Sequence, residues 1–414
     1  MDKAILVGPD VLQDGLNDYY IEELKNLAEA RNLEVVYSIT QIIKKINPAT
    51  YIGKGKVQEI KTFVTNLEAD MVIFNHELSG SQIRNLEEEL KCRVLDRTLL
   101  ILDIFAVRAK TKEAMLQVEL AQLEYLLPRL KSLRTSLGRQ QGGHIGSRGP
   151  GEKKLELDRR KIEHEQVKLK RELESVVKSR QIQRKQRKKS SIVKCAVVGY
   201  TNAGKSTLMN MLLKSTNIEN KNVLEKDMLF ATLETSTRKI EFESKRSIIL
   251  TDTVGFVSNL PHDLVEAFKS TLEEITEADY LIHVVDSSHP HYDEQIKITH
   301  QTLEEIGVEN IPTIYIYNKS DLAETPIEIK QYPSITTTLI NESKIPELIA
   351  FLEAQIFKNY QRVSLLIPYT KGEIISKLNQ HCYIFSQETL EDGLLVEVEL
   401  SETQMIEYKP YILK

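Results

Sequence analysis

One short stretch, residues 196–208 (AVVGYTNAGKSTL), constrains the fold more than any other part of the chain. A run of small and β-branched residues ends at Gly199, and Gly204, Lys205 and Ser206 follow after four residues, which gives the pattern G-x-x-x-x-G-K-S. The glycines let backbone N–H groups approach a polyphosphate, the lysine reaches its outer phosphates, and the serine hydroxyl can bind Mg²⁺. The pattern therefore predicts a strand, a phosphate-binding loop and a helix, in that order.

Two further boxes follow apolar runs that we predict to be strands. Asp252 and Gly255 form D-x-x-G, in which the aspartate can hold Mg²⁺ through a water and the glycine N–H can contact a γ-phosphate. Asn318, Lys319 and Asp321 belong to N-K-x-D, whose aspartate can accept hydrogen bonds from N1–H and the 2-amino group of guanine. Adenine lacks this pair of donors. The boxes together therefore predict binding of GTP and GDP.

A threonine between the first two boxes completes the predicted site. Thr232 lies in a polar stretch, where it can cap Mg²⁺ when the γ-phosphate is present. The predicted Mg²⁺ ligands are Ser206, Thr232 and, through water, Asp252. The full set of predicted nucleotide contacts is Gly199, Tyr200, Thr201, Asn202, Ala203, Gly204, Lys205, Ser206, Thr207, Phe230, Ala231, Thr232, Leu233, Glu234, Asp252, Thr253, Val254, Gly255, Asn318, Lys319, Ser320 and Asp321.

The boxes GYTNAGKST, LFATLE, DTVGFV and NKSD resemble those of the HflX family of ribosome-associated GTPases. Residues 95–130 and 146–160 (GSRGPGEKKLELDRR) are similar to the same family, so the resemblance covers nearly the whole chain. Ser147 and Lys153 depart from the pattern G-T-R-G-P-G-E-T that is usual in the family. This departure suggests a specialised paralogue, of the kind that confers resistance to antibiotics acting on the ribosome.

The resemblance also bears on catalysis. Related enzymes often place a glutamine directly after D-x-x-G to orient the attacking water, whereas this chain has Phe256. We therefore expect slow hydrolysis until the ribosome or a monovalent cation completes the site. Asn202 occupies the position that holds K⁺ in similar potassium-activated GTPases, although a loop-stabilising role is the alternative. We predict catalytic roles for Lys205, Asn202, Thr232 and Gly255.

Length and composition limit the other possibilities. A chain of 414 residues with 41% hydrophobic and 28% charged residues is too long for one core and typical of soluble globular proteins. Its three cysteines stand far apart without metal-binding spacing. We find no apolar run near the ~20 residues of a membrane span and no signal peptide, and we expect a cytoplasmic monomer.

A basic segment and two leucine seams predict an RNA-binding helical hairpin. Residues 131–190 carry 19 basic against 7 acidic residues, whereas the whole chain has a net charge of −5. Two helices, one before and one after a glycine-rich turn, should pair in antiparallel fashion. The apolar residues that would join them are Leu116, Leu120, Leu123, Leu127 and Leu130 in the first helix and Leu155, Ile162, Leu169, Leu173 and Val176 in the second. The glycine-rich turn 136–151 contains no acidic residue, and we predict that Arg139, His144 and Arg148 contact RNA. Solvated loop residues are the alternative.

These observations predict an α/β chain with four domains. Residues 1–110 should form a small parallel α/β domain, 111–190 the hairpin with a basic linker, 191–360 a P-loop GTPase domain with a doubly wound sheet, and 361–414 a small α+β domain. The basic turn 53–56 (GKGK) could bind a phosphate, or it could be an ordinary turn that begins a helix. The last base-contacting loop should lie near 334–338, where Thr336 or Thr337 would act through a backbone N–H.

The resemblance implies a GTPase that binds the large ribosomal subunit and splits or rescues stalled or vacant 70S ribosomes. The hairpin tip would contact rRNA near the peptidyl-transferase centre, and GTP hydrolysis would release the protein. One alternative is a GTPase of ribosome assembly or RNA modification. A second alternative is an ATP-dependent RNA-binding or RNA-unwinding module that uses the N-terminal domain.

Overall fold

The computed structural model describes residues 1–11, 15–140, 150–187, 192–215, 236–244, 246–258 and 274–413. These residues form two compact units. The first contains the described residues up to 183 together with 255–258. The second contains the described residues within 184–254 and 274–413.

The first unit is built on a four-stranded parallel sheet with the order β2-β1-β3-β4. Strands and helices alternate as β1 (Lys3–Asp10), α1 (Asn17–Ala30), β2 (Glu34–Ile42), α2 (Lys54–Leu67), β3 (Met71–Phe74), α3 (Gly80–Leu90), β4 (Arg93–Asp96) and α4 (Arg97–Arg108). All four residues of β3 are buried because helices cover both faces of the sheet. Ser79 and Gln82 form a capping box that starts α3.

Two long helices follow, α5 (Lys112–Gln140) and α6 (Pro150–Arg187), and their residues up to 183 belong to the same unit. Leucines predicted from the two seams pack together, because Leu116 and Leu120 of α5 form one apolar cluster with Leu169 of α6. Lys170 of α6 also forms an ion pair with Glu124 of α5, with 2.9 Å between Nζ and Oε1. The predicted pairing of the two helices is confirmed, whereas residues 141–149 of the predicted turn lie outside the described residues.

The second unit contains a six-stranded sheet with the order β10-β9-β8-β5-β7-β6. Its elements are β5 (Val193–Val198), α7 (Lys205–Ser215), β6 (Ser236–Glu241), β7 (Ser247–Asp252), β8 (Tyr280–Asp286), α8 (Tyr292–Glu305), β9 (Thr313–Asn318), β10 (Ser334–Thr336) and α9 (Ile345–Ile356). All pairs are parallel except β6 with β7, an antiparallel edge that the sequence pattern did not reveal.

A three-stranded antiparallel sheet ends the second unit, with the order β11-β13-β12. Its elements are β11 (Gln361–Ile367), α10 (Gly372–His381), β12 (Tyr383–Leu390), β13 (Gly393–Leu400) and α11 (Glu402–Glu407). Alternate residues of β13, among them Val396, Val398 and Leu400, are buried under α10 and α11. Arg246 at the start of β7 forms an ion pair with Glu399, with 2.7 Å between the charged atoms.

The predicted fold class is confirmed by these sheets and helices. The strands predicted before the three nucleotide boxes are present as β5, β7 and β9. The four domain boundaries stay a prediction. Within the described chain, every helix is too short or too polar to cross a membrane.

Candidate nucleotide-binding site

The loop between β5 and α7 takes its shape from two glycines. Gly199 has φ +141°, and a Cβ at this position would lie 2.3 Å from the carbonyl oxygen of Val284. Gly204 has φ +103°, and a Cβ there would lie 2.3 Å from Nδ2 of Asn318. Any side chain would therefore collide with β8 or β9 as well as strain the backbone. The sequence-predicted phosphate loop is compact for this steric reason.

Lys205, the first residue of α7, is buried inside this loop with 7% of its surface exposed. Its Nζ donates a hydrogen bond to the carbonyl oxygen of Tyr200 at 2.6 Å. Burial lowers the pKa of Lys205 to about 8, although the nearby Asp252 carboxylate acts in the opposite direction. A cation held in a closed loop at low dielectric is what a polyphosphate would bind.

Ser206 and Asp252 come together because β5 and β7 are parallel neighbours, with Val197 opposite Asp252. The Ser206 hydroxyl donates to Oδ2 of Asp252 at 2.9 Å, and Asp252 is fully buried. Thr253 fixes the end of β7, since its hydroxyl donates to the carbonyl oxygen of Val197 at 2.6 Å. Two of the three predicted ligands of Mg²⁺, Ser206 and Asp252, are thus placed side by side.

This pair of oxygens fits Mg²⁺, which prefers hydroxyl, carboxylate, water and phosphate oxygens. The described residues contain no group of three or more His, Cys, Asp or Glu side chains that could hold a metal by themselves. Ser206 and Asp252 would therefore hold Mg²⁺ only together with the phosphates of a bound nucleotide. The bound ion would neutralise charge that develops on those phosphates.

Asn318, at the end of β9, joins two loops. Its Nδ2 donates to the carbonyl oxygen of Ala203 at 2.9 Å, and its Oδ1 accepts from the N–H of Leu339 at 3.0 Å. The sequence predicted Asn318 as a nucleotide contact, and the geometry gives it a structural task as well. It holds the phosphate loop against the loop after β10.

The predicted base-recognition residues follow Asn318 directly. Lys319 has φ +59° and its Nζ lies 2.7 Å from Oδ2 of Asp286, the last residue of β8. This ion pair fixes the lysine ammonium group, and Asp321, two residues further along the chain, is exposed. An exposed carboxylate can accept the paired donors of guanine.

The loop after β10 limits which of the two predicted threonines, Thr336 or Thr337, can offer its backbone N–H to a base. The N–H of Thr337 donates to the carbonyl oxygen of Tyr317 at 2.8 Å, and the carbonyl oxygen of Thr337 accepts from the N–H of Ser320 at 3.3 Å. Because its N–H is already used, Thr337 cannot offer that group to a base. Thr336 ends β10 opposite Tyr317.

One buried residue near the loop was missed from sequence. His283 in β8 is 1% exposed and lies beneath Gly199, whose absent Cβ would approach its Cδ2 to 3.4 Å. Burial, with smaller contributions from His300 and Lys205, lowers the pKa of His283 to about 3, so the ring is neutral. A neutral ring can underlie the phosphate loop without adding charge. The available signal was a single polar residue inside the apolar run YLIHVV.

Several of the predicted site residues are in the first unit or outside the described residues. Gly255 begins the segment 255–258, which belongs to the first unit. Phe230, Ala231, Thr232, Leu233 and Glu234 lie outside the described residues, as do His144 and Arg148. Arg139 belongs to the last turn of α5.

Comparison with known proteins decides the family. Three family models match consecutive parts of the chain: GTP-binding GTPase N-terminal over residues 18–106, GTP-binding GTPase Middle Region over 108–187, and 50S ribosome-binding GTPase over 194–319. The GTPase HflX of Caldanaerobacter subterraneus subsp. tengcongensis is 46% identical over 400 residues, which cover 97% of this chain and 91% of that protein. The chain belongs to the HflX family of GTPases.

One further GTPase HflX and one solved structure are also similar to most of this chain. The GTPase HflX of Escherichia coli K12 is 39% identical over 399 residues, covering 95% of this chain and 92% of that protein. A crystal structure of a GTP-binding protein from the archaeon Sulfolobus solfataricus in complex with GDP aligns with 86% of this chain and 99% of its own, at 26% identity and a TM-score of 0.46. As an HflX-family GTPase, this chain is an enzyme that hydrolyses GTP.

The lowered pKa of Lys205 predicts how nucleotide affinity depends on pH. Only the charged lysine attracts phosphates, and its pKa without ligand is about 8. GDP affinity should therefore be constant below pH 8 and fall above it, by up to about tenfold per pH unit, because binding must then take up a proton. Calorimetry at pH 7, 8 and 9, in buffers with different ionisation enthalpies, measures the affinity for GDP and the number of protons taken up on binding.

A matched control is Lys214→Met, which removes an exposed lysine from the same helix. This variant should keep the pH profile of the wild type. Equal affinity at pH 7 and pH 9 with no proton uptake would show that Lys205 does not titrate in this range.

Proposed function

We propose that this HflX-family GTPase, when loaded with GTP, binds the large ribosomal subunit and splits or rescues stalled or vacant 70S ribosomes. The hairpin tip would contact rRNA near the peptidyl-transferase centre, and hydrolysis would release the protein. The match of residues 194–319 to a 50S ribosome-binding GTPase model supports the partner. A role in resistance to antibiotics that bind the same rRNA would follow from such a contact.

The observation that carries this proposal is where the hairpin holds its positive charge. The shaft of α6, residues 156–177, has 6 basic and 6 acidic residues and is neutral. The tip region, residues 131–155, has 6 basic residues and 1 acidic residue, and residues 178–190 have 7 basic residues and no acid. In sequence, the excess positive charge therefore belongs to the two stretches that flank this neutral shaft, and these stretches could bind phosphates.

Ion pairs along the shaft support the same distinction. Arg160 lies 3.2 Å from Glu156, Lys168 lies 2.8 Å from Glu165, and Lys170 reaches across to α5. These cations are compensated by neighbouring acids. At 1.5 Å per residue, the 38 residues of α6 extend about 57 Å.

Binding to purified 50S subunits at several salt concentrations tests the proposal. The variant R139A/R148A should bind about tenfold more weakly at physiological salt in the presence of a non-hydrolysable GTP analogue. Its affinity should also depend less steeply on salt, because fewer phosphate contacts are made. Pelleting gives the affinity, and sucrose gradients show whether 70S particles separate into subunits.

The control variant is Arg160→Gln, which removes a compensated arginine from the shaft and should leave affinity and salt dependence unchanged. Equal losses in both variants would contradict the proposed role of the tip. Binding confined to immature subunits would favour the assembly function, and binding to free RNA driven by ATP would favour the unwinding function.

We also propose that K⁺ completes the catalytic site through Asn202. This residue has φ +61° and an exposed side chain within the phosphate loop, so its oxygen is accessible to a cation. Phe256 is buried and has no polar group with which to orient a water, so another group has to assist hydrolysis.

Hydrolysis in KCl and in NaCl tests the cation. We expect the wild type to be at least about tenfold faster in KCl, and Asn202→Ser to lose this difference. Asn310→Ser is the control, because Asn310 is a second exposed asparagine with φ +61° in the same unit. Equal rates in the two salts for the wild type, with and without 50S subunits, would refute a role for K⁺.

A further inference from the structure

The turn at the end of β8, formed by Asp286, Ser287 and Ser288, lies against the N-K-x-D box. Strands β8 and β9 are parallel neighbours, and their last residues, Asp286 and Asn318, stand opposite each other in the register. Both strands therefore end at the same edge of the sheet, where open α/β sheets usually bind their ligands. The nucleotide boxes of the sequence do not include this turn, which we call the 286–288 turn.

Ser287 holds the backbone of the N-K-x-D box. Its N–H and its hydroxyl both donate to the carbonyl oxygen of Asn318, at 2.9 Å and 2.6 Å. That oxygen belongs to the planar peptide unit that joins Asn318 to Lys319, so the two bonds fix the orientation of this peptide. Lys319 follows with φ +59°, a left-handed conformation that residues with a side chain rarely adopt. Ser287 and Asn318 are both buried, which protects these bonds from water.

Asp286 holds the side chain of the same lysine. One of its carboxylate oxygens, Oδ2, lies 2.7 Å from Nζ of Lys319. The other, Oδ1, accepts from the N–H of Ser288 at 3.2 Å and from its hydroxyl at 2.6 Å. The carboxylate therefore cannot rotate without breaking its bonds to Ser288. The side chains of Lys319 and Asp286 are 22% and 16% exposed, so solvent screens their ion pair less than it screens a surface pair.

These contacts fix both ends of a flexible side chain. Ser287 fixes the backbone from which the stem of Lys319 begins, and Asp286 fixes the ammonium group in which the stem ends. A free lysine loses more rotamer entropy on being ordered than most side chains do. A lysine that is already ordered can cover the face of a base with its apolar stem without that loss on binding.

We propose that Asp286, Ser287 and Ser288 are positioning residues for guanine-nucleotide binding and that they act through Lys319. The 286–288 turn orders the lysine in the free protein, so that the base meets a preformed contact. This inference rests on the predicted contact of Lys319 with the base and is independent of the proposed ribosomal function. Because the turn acts on the base and not on the phosphates, it contributes equally to the binding of GDP and GTP.

The variant Asp286→Asn tests the ion pair with little change of shape. Its amide oxygen can still accept from Ser288, whereas its NH₂ group has only donors to offer to the lysine ammonium. We expect the affinities for GDP and for a non-hydrolysable GTP analogue to fall by the same factor, at least about fivefold. Calorimetry on the full chain measures both affinities. Ser288→Ala, which releases the Asp286 carboxylate, is a milder second variant and should lower both affinities about threefold.

A double-mutant cycle separates positioning from a general stabilisation of the sheet edge. Lys319→Met keeps an apolar stem but removes the ammonium group. In this background Asp286→Asn should change GDP affinity by less than about twofold, because the group through which Asp286 acts is gone. A residue that only stabilised the fold would lower the affinity by the same factor in both backgrounds.

The matched control is Ser343→Ala. The N–H and hydroxyl of Ser343 donate to Oδ1 of Asn341 at 3.0 Å and 2.8 Å, the same pair of bonds that Ser288 makes to Asp286, but in a turn outside the nucleotide boxes. This variant should keep the wild-type affinity for GDP. Wild-type affinity in both Asp286→Asn and Ser288→Ala, or an undiminished loss in the Lys319→Met background, would overturn the proposal. Absence of 50S binding would refute the proposed function alone.

Discussion

Parallel pairing of β5 with β7 is the constraint on which the nucleotide site depends. It brings the hydroxyl of Ser206 to 2.9 Å from the carboxylate of Asp252, although 46 residues separate the two in sequence. The β5–α7 loop also has to fold tightly against β8 and β9, which only glycine permits at positions 199 and 204. The lowered pKa of Lys205 follows from this packing, and so does the arrangement that we predict to bind phosphates and Mg²⁺.

The first unit relies on buried charge. Glu23 and Arg97 are 4% and 3% exposed, and removing one partner of such a pair typically costs about 3–5 kcal/mol because the other charge remains buried. Hydrophobic residues of the same size could stabilise this position equally well. What an ion pair with forked hydrogen bonds adds is direction, and here the bonds are directed at Ser258.

Local residue patterns predicted most of the fold. The central strands of the two large sheets were visible as apolar runs, and the seam leucines Leu116, Leu120 and Leu169 meet as expected. The antiparallel strand β6 was missed because its sequence, STRKIE, is polar at an exposed edge. The ion pair of Glu23 with Arg97 joins residues 74 positions apart, and no local pattern encodes such a contact. His283 was missed because its role depends on the loop packed above it.

The central claim is that a guanine nucleotide controls this chain, and exchanging the base tests it most directly. Calorimetry should show that Asp321→Asn loses at least about tenfold in affinity for GDP and gains affinity for xanthosine diphosphate, whose 2-oxo group can accept from the new amide. Glu324→Gln, a change of an exposed acid three residues away, should keep the preference for GDP. If Asp321→Asn retained the wild-type preference for GDP over both xanthosine and adenosine diphosphates, the claim would be contradicted.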